Sequence, residues 1–485
     1  WQQRQRPYST MWRYVVLLLG TVSCSQTSNN SPLSGTITSP NYPKLYPRFN
    51  DSTWDIIVPE GYYVSLNFSV FDIEPSENCS HGFVKVMADG KELGQFCGPV
   101  NSSSHPGNRQ FVSLGNQMRI HFQSNFSKEM DGDIIQYKGF QAFYQAIVVT
   151  CEDPPVLTNG QYTFLTAPGR LEYRSAIQYQ CNAPYYNMVT PNASDTYTCS
   201  AQREWRDEHG GNRIPRCRPV CGKPGDPVGS FGRILHGKKA DPGNFPWQVY
   251  VSRYGTAGGA LIGEQWVLTA AQVLPDDKEK QDLADVHVYM GSVEMKHLKE
   301  LGTHPVEAFY MHPNFNRNNY DNDIALIRLK NPIVMNQNVS PICLPSPQDE
   351  DDIYQKDRIG YVSGYGVNEN RDIPNELRYV SVPMASRQDC KAYLNKKRPI
   401  RNPSHEERYL FSRNMFCAGF PEGSLNKGDS CRGDSGGAYT TQNKQDTWVA
   451  TGLVSWGFGC GQGYGFYTKV SNYVEWIKSY VGEDI

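Results

Sequence analysis

Apolar and polar residues alternate one by one through much of the first third of the chain. Val64, Leu66, Phe68 and Val70 face one way, and Ser65, Asn67 and Ser69 face the other. Met118, Ile120 and Phe122 alternate with Arg119, His121 and Gln123 in the same manner. A period of two marks a strand with one buried face. Turn residues separate these runs, so residues 34–148 predict an antiparallel β-sandwich. Cys79 and Cys97 are close enough in sequence to tie neighbouring strands within it. Residues 151–217 are of another kind: a short stretch rich in proline and tyrosine that holds Cys151, Cys181, Cys199, Trp205 and Cys217. A core this small needs covalent staples, and four cysteines permit three pairings. Their spacing is too wide for a zinc site. Residues 218–233 form a Pro/Gly linker. Near the end a helical period takes over: Tyr473, Trp476, Ile477 and Tyr480 share one face, with Asn472 placed to cap it.

A length of 485 residues suits about three domains. The net charge of −2 gives no basis for nucleic-acid binding or a polybasic membrane contact. Arg13, an apolar run over 14–19 and small residues around 22–24 predict a secretory signal over 11–24, with residues 1–10 outside the natural product. The run is too short to span a bilayer and no longer one follows, so the mature protein is expected to be secreted and extracellular. Setting Cys24 aside with the signal leaves an even set of cysteines, suited to an oxidising compartment. Asn-x-Ser/Thr sequons at Asn29, Asn50, Asn67, Asn78, Asn101, Asn125, Asn192 and Asn338 agree with that route. The acidic run 349–352 and the basic run 396–401 are expected to be solvated faces.

Candidate chemistry sits in three short stretches. Residues 429–437 read Asp-Ser-Cys-Arg-Gly-Asp-Ser-Gly-Gly, residues 321–326 read Asp-Asn-Asp-Ile-Ala-Leu, and residues 268–272 read Leu-Thr-Ala-Ala-Gln. Together they resemble the chymotrypsin-like serine proteases. The resemblance implies Ser435 as nucleophile, Gly433 and Ser435 amides as the oxyanion hole, and Asp323 as the orienting carboxylate. The general base, usually histidine, should stand at 272, and Gln272 stands there instead. A carboxamide can hydrogen-bond a serine hydroxyl but cannot take its proton at neutral pH. The recognition parts are present. Asp429 matches the charged floor of an arginine- or lysine-selecting pocket, and Gly457 and Gly465 match its walls. Ser455 begins the segment that pairs with an extended substrate. Arg233-Ile234 resembles an activation site, whose new α-amino group would pair with Asp434.

Wider resemblances organise the rest. Gly35-Thr-Ile-Thr-Ser-Pro-Asn-Tyr-Pro and Phe71-Asp-Ile-Glu-Pro-Ser-Glu-Asn-Cys79 resemble a CUB domain, and the order Cys, Cys, Cys, Trp, Cys resembles a sushi module. The order CUB (34–148), sushi (151–217), linker (218–233) and protease (234–480) resembles the complement first-component proteases, subcomponent r and its shorter r-like relative. That implies an all-β chain: a β-sandwich, a stapled module, and a double β-barrel with a C-terminal helix. It also implies the pairs Cys79–Cys97, Cys151–Cys199, Cys181–Cys217, Cys221–Cys343, Cys390–Cys417 and Cys431–Cys460. No cysteine flanks Gly258-Gly259 or follows Gln272, so the usual disulfide of the base-bearing loop is missing. Calcium-binding CUB domains of this family use a Glu and two Asp. Glu74 matches the first, but Gly82 and Asn125 stand at the others, so no cofactor and no calcium site is expected. The function expected is a catalytically impaired protease homologue that acts by binding in innate immunity. Complement or other plasma proteins and Arg-bearing peptide segments are the implied partners. The alternative is an active Arg-specific endopeptidase of the complement pathway.

Overall fold

The computed structural model describes residues 32–125, 129–130, 133–134, 136–190, 194–228, 237–253, 255–275, 283–367, 372, 374–397, 410–424 and 428–482. The expected signal at 11–24, the pair Arg233–Ile234 and most of the basic run 396–401 lie outside them. Contacts divide the chain into two units. One gathers residues up to Asp153 with Leu171–Ser175 and Cys199–Trp205. The other gathers Pro154–Arg170, Ala176–Thr198 and everything from Arg206 onward.

The first unit is a sandwich of two four-stranded sheets. One runs in the order Ser34–Thr38, Gly139–Val148, Tyr62–Asp72, Phe111–Val112; the other runs Asn50–Ile57, Gln117–Ser124, Gly82–Ala88, Lys91–Phe96. Every pairing is antiparallel. Alternation in the sequence becomes inside and outside here: Val64, Leu66, Ile120 and Phe122 are fully buried, while Asn67 and Ser69 are exposed. Phe68 meets Phe111 and Phe140 edge to face, each contact contributing about 0.5–1.5 kcal/mol beyond its buried area. Cys79–Cys97 and Cys151–Cys199 staple this unit, and the Trp205 indole N–H donates to the Glu152 carbonyl at 2.8 Å.

In the second unit, strand Ala176–Cys181 pairs with Gly160–Phe164, and Tyr186–Val189 pairs with Arg216–Pro219, stapled by Cys181–Cys217. The Tyr186 hydroxyl is buried against the next part of the unit, accepting the Met335 amide at 2.9 Å. Two larger sheets follow. A six-stranded sheet holds Gln248–Ser252, Thr256–Leu261, Trp266–Thr269 and Ala325–Leu329 at its centre; a seven-stranded sheet holds Ile359–Gly364, Ala438–Gln442, Trp448–Gly457 and Tyr464–Lys469. Trp247, Leu268, Leu326, Leu453 and Ile477 share one core. The disulfides Cys221–Cys343, Cys390–Cys417 and Cys431–Cys460 complete the set.

Two local expectations need correction. The closing helix spans Val474–Val481 and buries Val474, Ile477 and Val481, whereas Tyr480 is exposed. Asn472 does not cap it. Its side-chain amide donates instead to the Arg413 carbonyl and to Asn414 Oδ1, and a 3-10 turn over Val470–Tyr473 leads into the helix. The acidic run is only partly a solvated face: Asp351 is exposed, but the others are engaged. Asp349 is buried and accepts from Ser346 and Asn443, Glu350 pairs with Lys469, and Asp352 pairs with Arg358.

Candidate active site

Backbone packing, rather than side chains, positions the serine. The Gly258 amide donates to the Ser435 carbonyl at 2.8 Å. A Cβ on Gly258 would lie 2.9 Å from Gly437 Cα, and one on Gly436 would lie 2.2 Å from Thr269 Oγ1. Glycine is therefore required on both sides of this contact, and Gly436 also has φ +85. Within the loop, the Asp434 and Gly436 amides donate to Cys431 and Val454 carbonyls. The Gly433 and Ser435 amides have no acceptor among the described residues. The Arg432 carbonyl accepts from Val367, and a planar trans peptide then turns the Gly433 N–H to the opposite side. Two adjacent donors without acceptors are what an oxyanion hole supplies.

Asp323 lies at the centre of the neighbouring arrangement and is fully buried. It accepts the Gln272 backbone amide at 2.9 Å, the Gln272 Nε2 amide at 2.7 Å and the Ser455 hydroxyl at 2.6 Å. Burial pushes its carboxyl up to about 6, and the Ser455 and Gln272 donors hold it from rising further. Gln272 Nε2 donates a second time, to the Ser455 carbonyl at 2.6 Å. Both partners accept only, so the nitrogen and not the oxygen of the carboxamide must face them. Both amide hydrogens are thereby committed, and Gln272 reproduces the contact an imidazole N–H would make to Asp323. Among the described residues no hydrogen bond links Ser435 Oγ to any neighbour.

Asp429 stands where the floor of a cation pocket is expected. Gly461 donates to Oδ2 at 3.0 Å, while Oδ1 is buried with no hydrogen-bond partner among the described residues. Desolvation is the main cause that pushes this carboxyl up to about 7; the Asp434 charge adds to it, and backbone donors oppose it. A Cβ on Gly465 would come 3.3 Å from that bare oxygen, and one on Gly457 would face Gly465 Cα at 3.9 Å. Side chains at either wall would crowd the approach to the carboxylate. Asp434 points inward, accepting from Gly366 at 2.9 Å and Cys431 at 2.8 Å. Burial raises it to about 6 against those two donors.

Sequence reasoning missed two contributors. Ser455 supplies its hydroxyl to Asp323 as well as its backbone. Arg317 caps the 3-10 turn Ala271–Val273, donating to the Gln272 carbonyl at 3.3 Å and the Leu274 carbonyl at 3.1 Å. Such terminal carbonyls lack helical partners. No motif marks Arg317; only its place shortly before Asp323 hints at it. Elsewhere, Glu74 meets His81 at 3.3 Å, the Asn125 amide donates to the Ser80 carbonyl, and no cluster of three potential metal ligands occurs among the described residues.

Family models match as CUB domain over residues 24–144, sushi repeat over 151–217 and trypsin over 234–477. Human complement C1r subcomponent-like protein is 38% identical over 450 residues, covering 91% of this chain and 88% of its own length. The rat protein of that name is 38% identical over 453 residues, covering 92% of each. Mouse complement C1r-B subcomponent is 30% identical over 697 aligned positions, covering 93% of this chain and 97% of its own length.

Proposed function

The chain belongs to the complement C1r and C1r-like family of serine protease homologues with CUB, sushi and trypsin domains, and we propose that it is a secreted member that binds arginine-bearing segments without cleaving them efficiently. The observation that carries this reading is the double donation of Gln272 Nε2 to Asp323 and Ser455. An amide with both hydrogens committed offers only its oxygen, which is not basic near neutral pH. Ser435 then has no partner to accept its proton on attack. On this scaffold, loss of the base costs on the order of 10⁶ in kcat, and the remaining parts still give roughly 10³–10⁴ over water.

The parts that recognise substrate support binding. The bare Asp429 oxygen suits a guanidinium or ammonium, and the Gly433 and Ser435 amides suit a carbonyl oxygen. Cleavage after Arg233 would free an α-amino group on Ile234, mostly cationic at neutral pH with a reference pKa near 8, to meet Asp434. Cys221–Cys343 would keep the fragments joined. Secretion is supported by the residue pattern at 11–24 and the disulfide content. Complement or other plasma proteins with exposed arginine loops are the partners that fit, and the protein would act as a decoy, competitor or carrier. No helix among the described residues is long and apolar enough to cross a membrane. The test is turnover of an Arg ester by the protein cleaved after Arg233. Rates within about tenfold of an ordinary trypsin-like enzyme would overturn the binding reading.

A further inference from the structure

On the outer face of the first unit, Asn67 and Phe143 are direct cross-strand partners in an antiparallel pair. Such partners project to the same side with Cβ atoms about 4.5–5.5 Å apart. Phe143 is 42% exposed, while the adjoining pair, Ala142 and Phe68, turns into the core. Thr36, on the other side of Phe143, is exposed too. An aromatic ring thus stands in water amid polar neighbours, beside an asparagine.

That asparagine opens the sequon Asn67-Phe68-Ser69. Its carboxamide makes no hydrogen bond among the described residues, and Ser69 is exposed, its hydroxyl resting on Gln141. Asn78 and Asn101 in this unit are exposed as well, but two other sequon asparagines are engaged by their neighbours. Asn50 is half-buried and accepts from Ser52, the hydroxyl of its own sequon, at 2.7 Å; the Asn125 amide donates to the Ser80 carbonyl at 3.3 Å.

We propose that Asn67 carries an N-linked glycan whose first N-acetylglucosamine lies over the ring of Phe143. The attachment balances without redox chemistry. Asn67 Nδ2 bonds to C1 of a lipid-diphosphate-activated oligosaccharide, the C1–O bond to the diphosphate breaks, and the amide gives up one proton. A pyranose presents one face of C–H groups, which suits the electron-rich face of an aromatic ring. The contact removes apolar surface from water where the fold leaves it uncovered. The proposal rests on passage through the secretory route proposed above.

The test uses the full chain expressed in mammalian cells, with glycopeptides from medium and from cell lysate mapped by mass spectrometry before and after enzymatic deglycosylation. Asn67 is expected to be occupied. An unmodified Asn67 alongside occupied exposed sequons such as Asn101 or Asn338 overturns the proposal and leaves secretion intact; no occupancy anywhere overturns the secreted reading with it. A thermal double-mutant cycle then reads the contact. Phe143→Ala, or Phe143→Leu if the alanine variant folds poorly, should lower the first unit's midpoint by about 2–4 °C more in the glycosylated protein than in Asn67→Gln. Equal losses in the two backgrounds overturn the ring contact.

Discussion

Binding of benzamidine should depend on pH chiefly through Asp429, with Asp434, raised to about 6, adding to the change at the acid end. The ligand is a planar cation that keeps its proton across the neutral range, so the pocket carboxyl supplies most of the titration. With that carboxyl pushed up to about 7 by burial, the empty pocket is mostly neutral at pH 6 and mostly charged at pH 8. A cation binds the charged form, and the apparent dissociation constant scales as one plus the protonated-to-ionised ratio. This factor is about 1.1 at pH 8, about 11 at pH 6 and about 30 at pH 5.5. Affinity should therefore fall about tenfold from pH 8 to pH 6, worth about 1.4 kcal/mol. The sign follows from linkage. A carboxyl raised above its unfolded value contributes stability that is complete below about pH 4 and is lost as pH rises through about 7. The free protein is thus strained at pH 8, and a bound cation relieves the strain. Isothermal calorimetry on the protein cleaved after Arg233, at constant ionic strength from pH 8 to 5.5, reads this directly. Asp429→Asn should bind weakly and lose most of the slope. An affinity flat across the window, or a slope undiminished in Asp429→Asn, would refute the assignment of this carboxyl to the pocket.

Two further outcomes follow from the same geometry. In a Gln272→His background, Arg317→Ala should lower kcat by about 10- to 100-fold through misplacement of the turn while leaving benzamidine affinity unchanged, and Arg317→Lys should recover part of the loss; a matching fall in benzamidine affinity would mean that the whole domain is disturbed. Asp323, raised to about 6 by burial, contributes stability that is lost as pH climbs from about 4 through 6. The stability of the parent relative to Asp323→Asn, from denaturant unfolding, should accordingly drop by about 2 kcal/mol from pH 4 to pH 6, and a rise over that window would contradict the burial of this carboxyl.

Features carried by local pattern were legible in the sequence. A period of two needs only near neighbours, so Val64, Leu66, Ile120 and Phe122 could be placed inside before any pairing was known. The serine loop is likewise a contiguous string whose glycines are dictated by the backbone contacts of Gly258 and Gly436. What the sequence withheld depends on distant partners. Gln272 meets Asp323 and Ser455 across 51 and 183 residues, so the replacement of the base was visible but the commitment of both amide hydrogens was not. Asn472 has the chemistry of a helix cap, yet Asn414 and the Arg413 carbonyl hold its amide. The acidic run looked solvated because Asn443 and Lys469, which engage Asp349 and Glu350, lie 94 and 119 residues away in sequence. Arg317 carries no motif, since any long cation near that turn could reach the same carbonyls.

On this reading, one side chain separates the site from catalysis. The measurement that tests it most directly is kcat/KM on an Arg ester for the parent and for Gln272→His, both cleaved after Arg233, with Ser435→Ala in the histidine background as control. An imidazole at 272 would donate one N–H to Asp323 in place of the amide and present the other nitrogen as a base, with an unperturbed pKa near 6.5. The expected gain is at least about 10³, abolished by Ser435→Ala. A histidine variant no faster than the parent would contradict it, and would place the defect beyond the missing base.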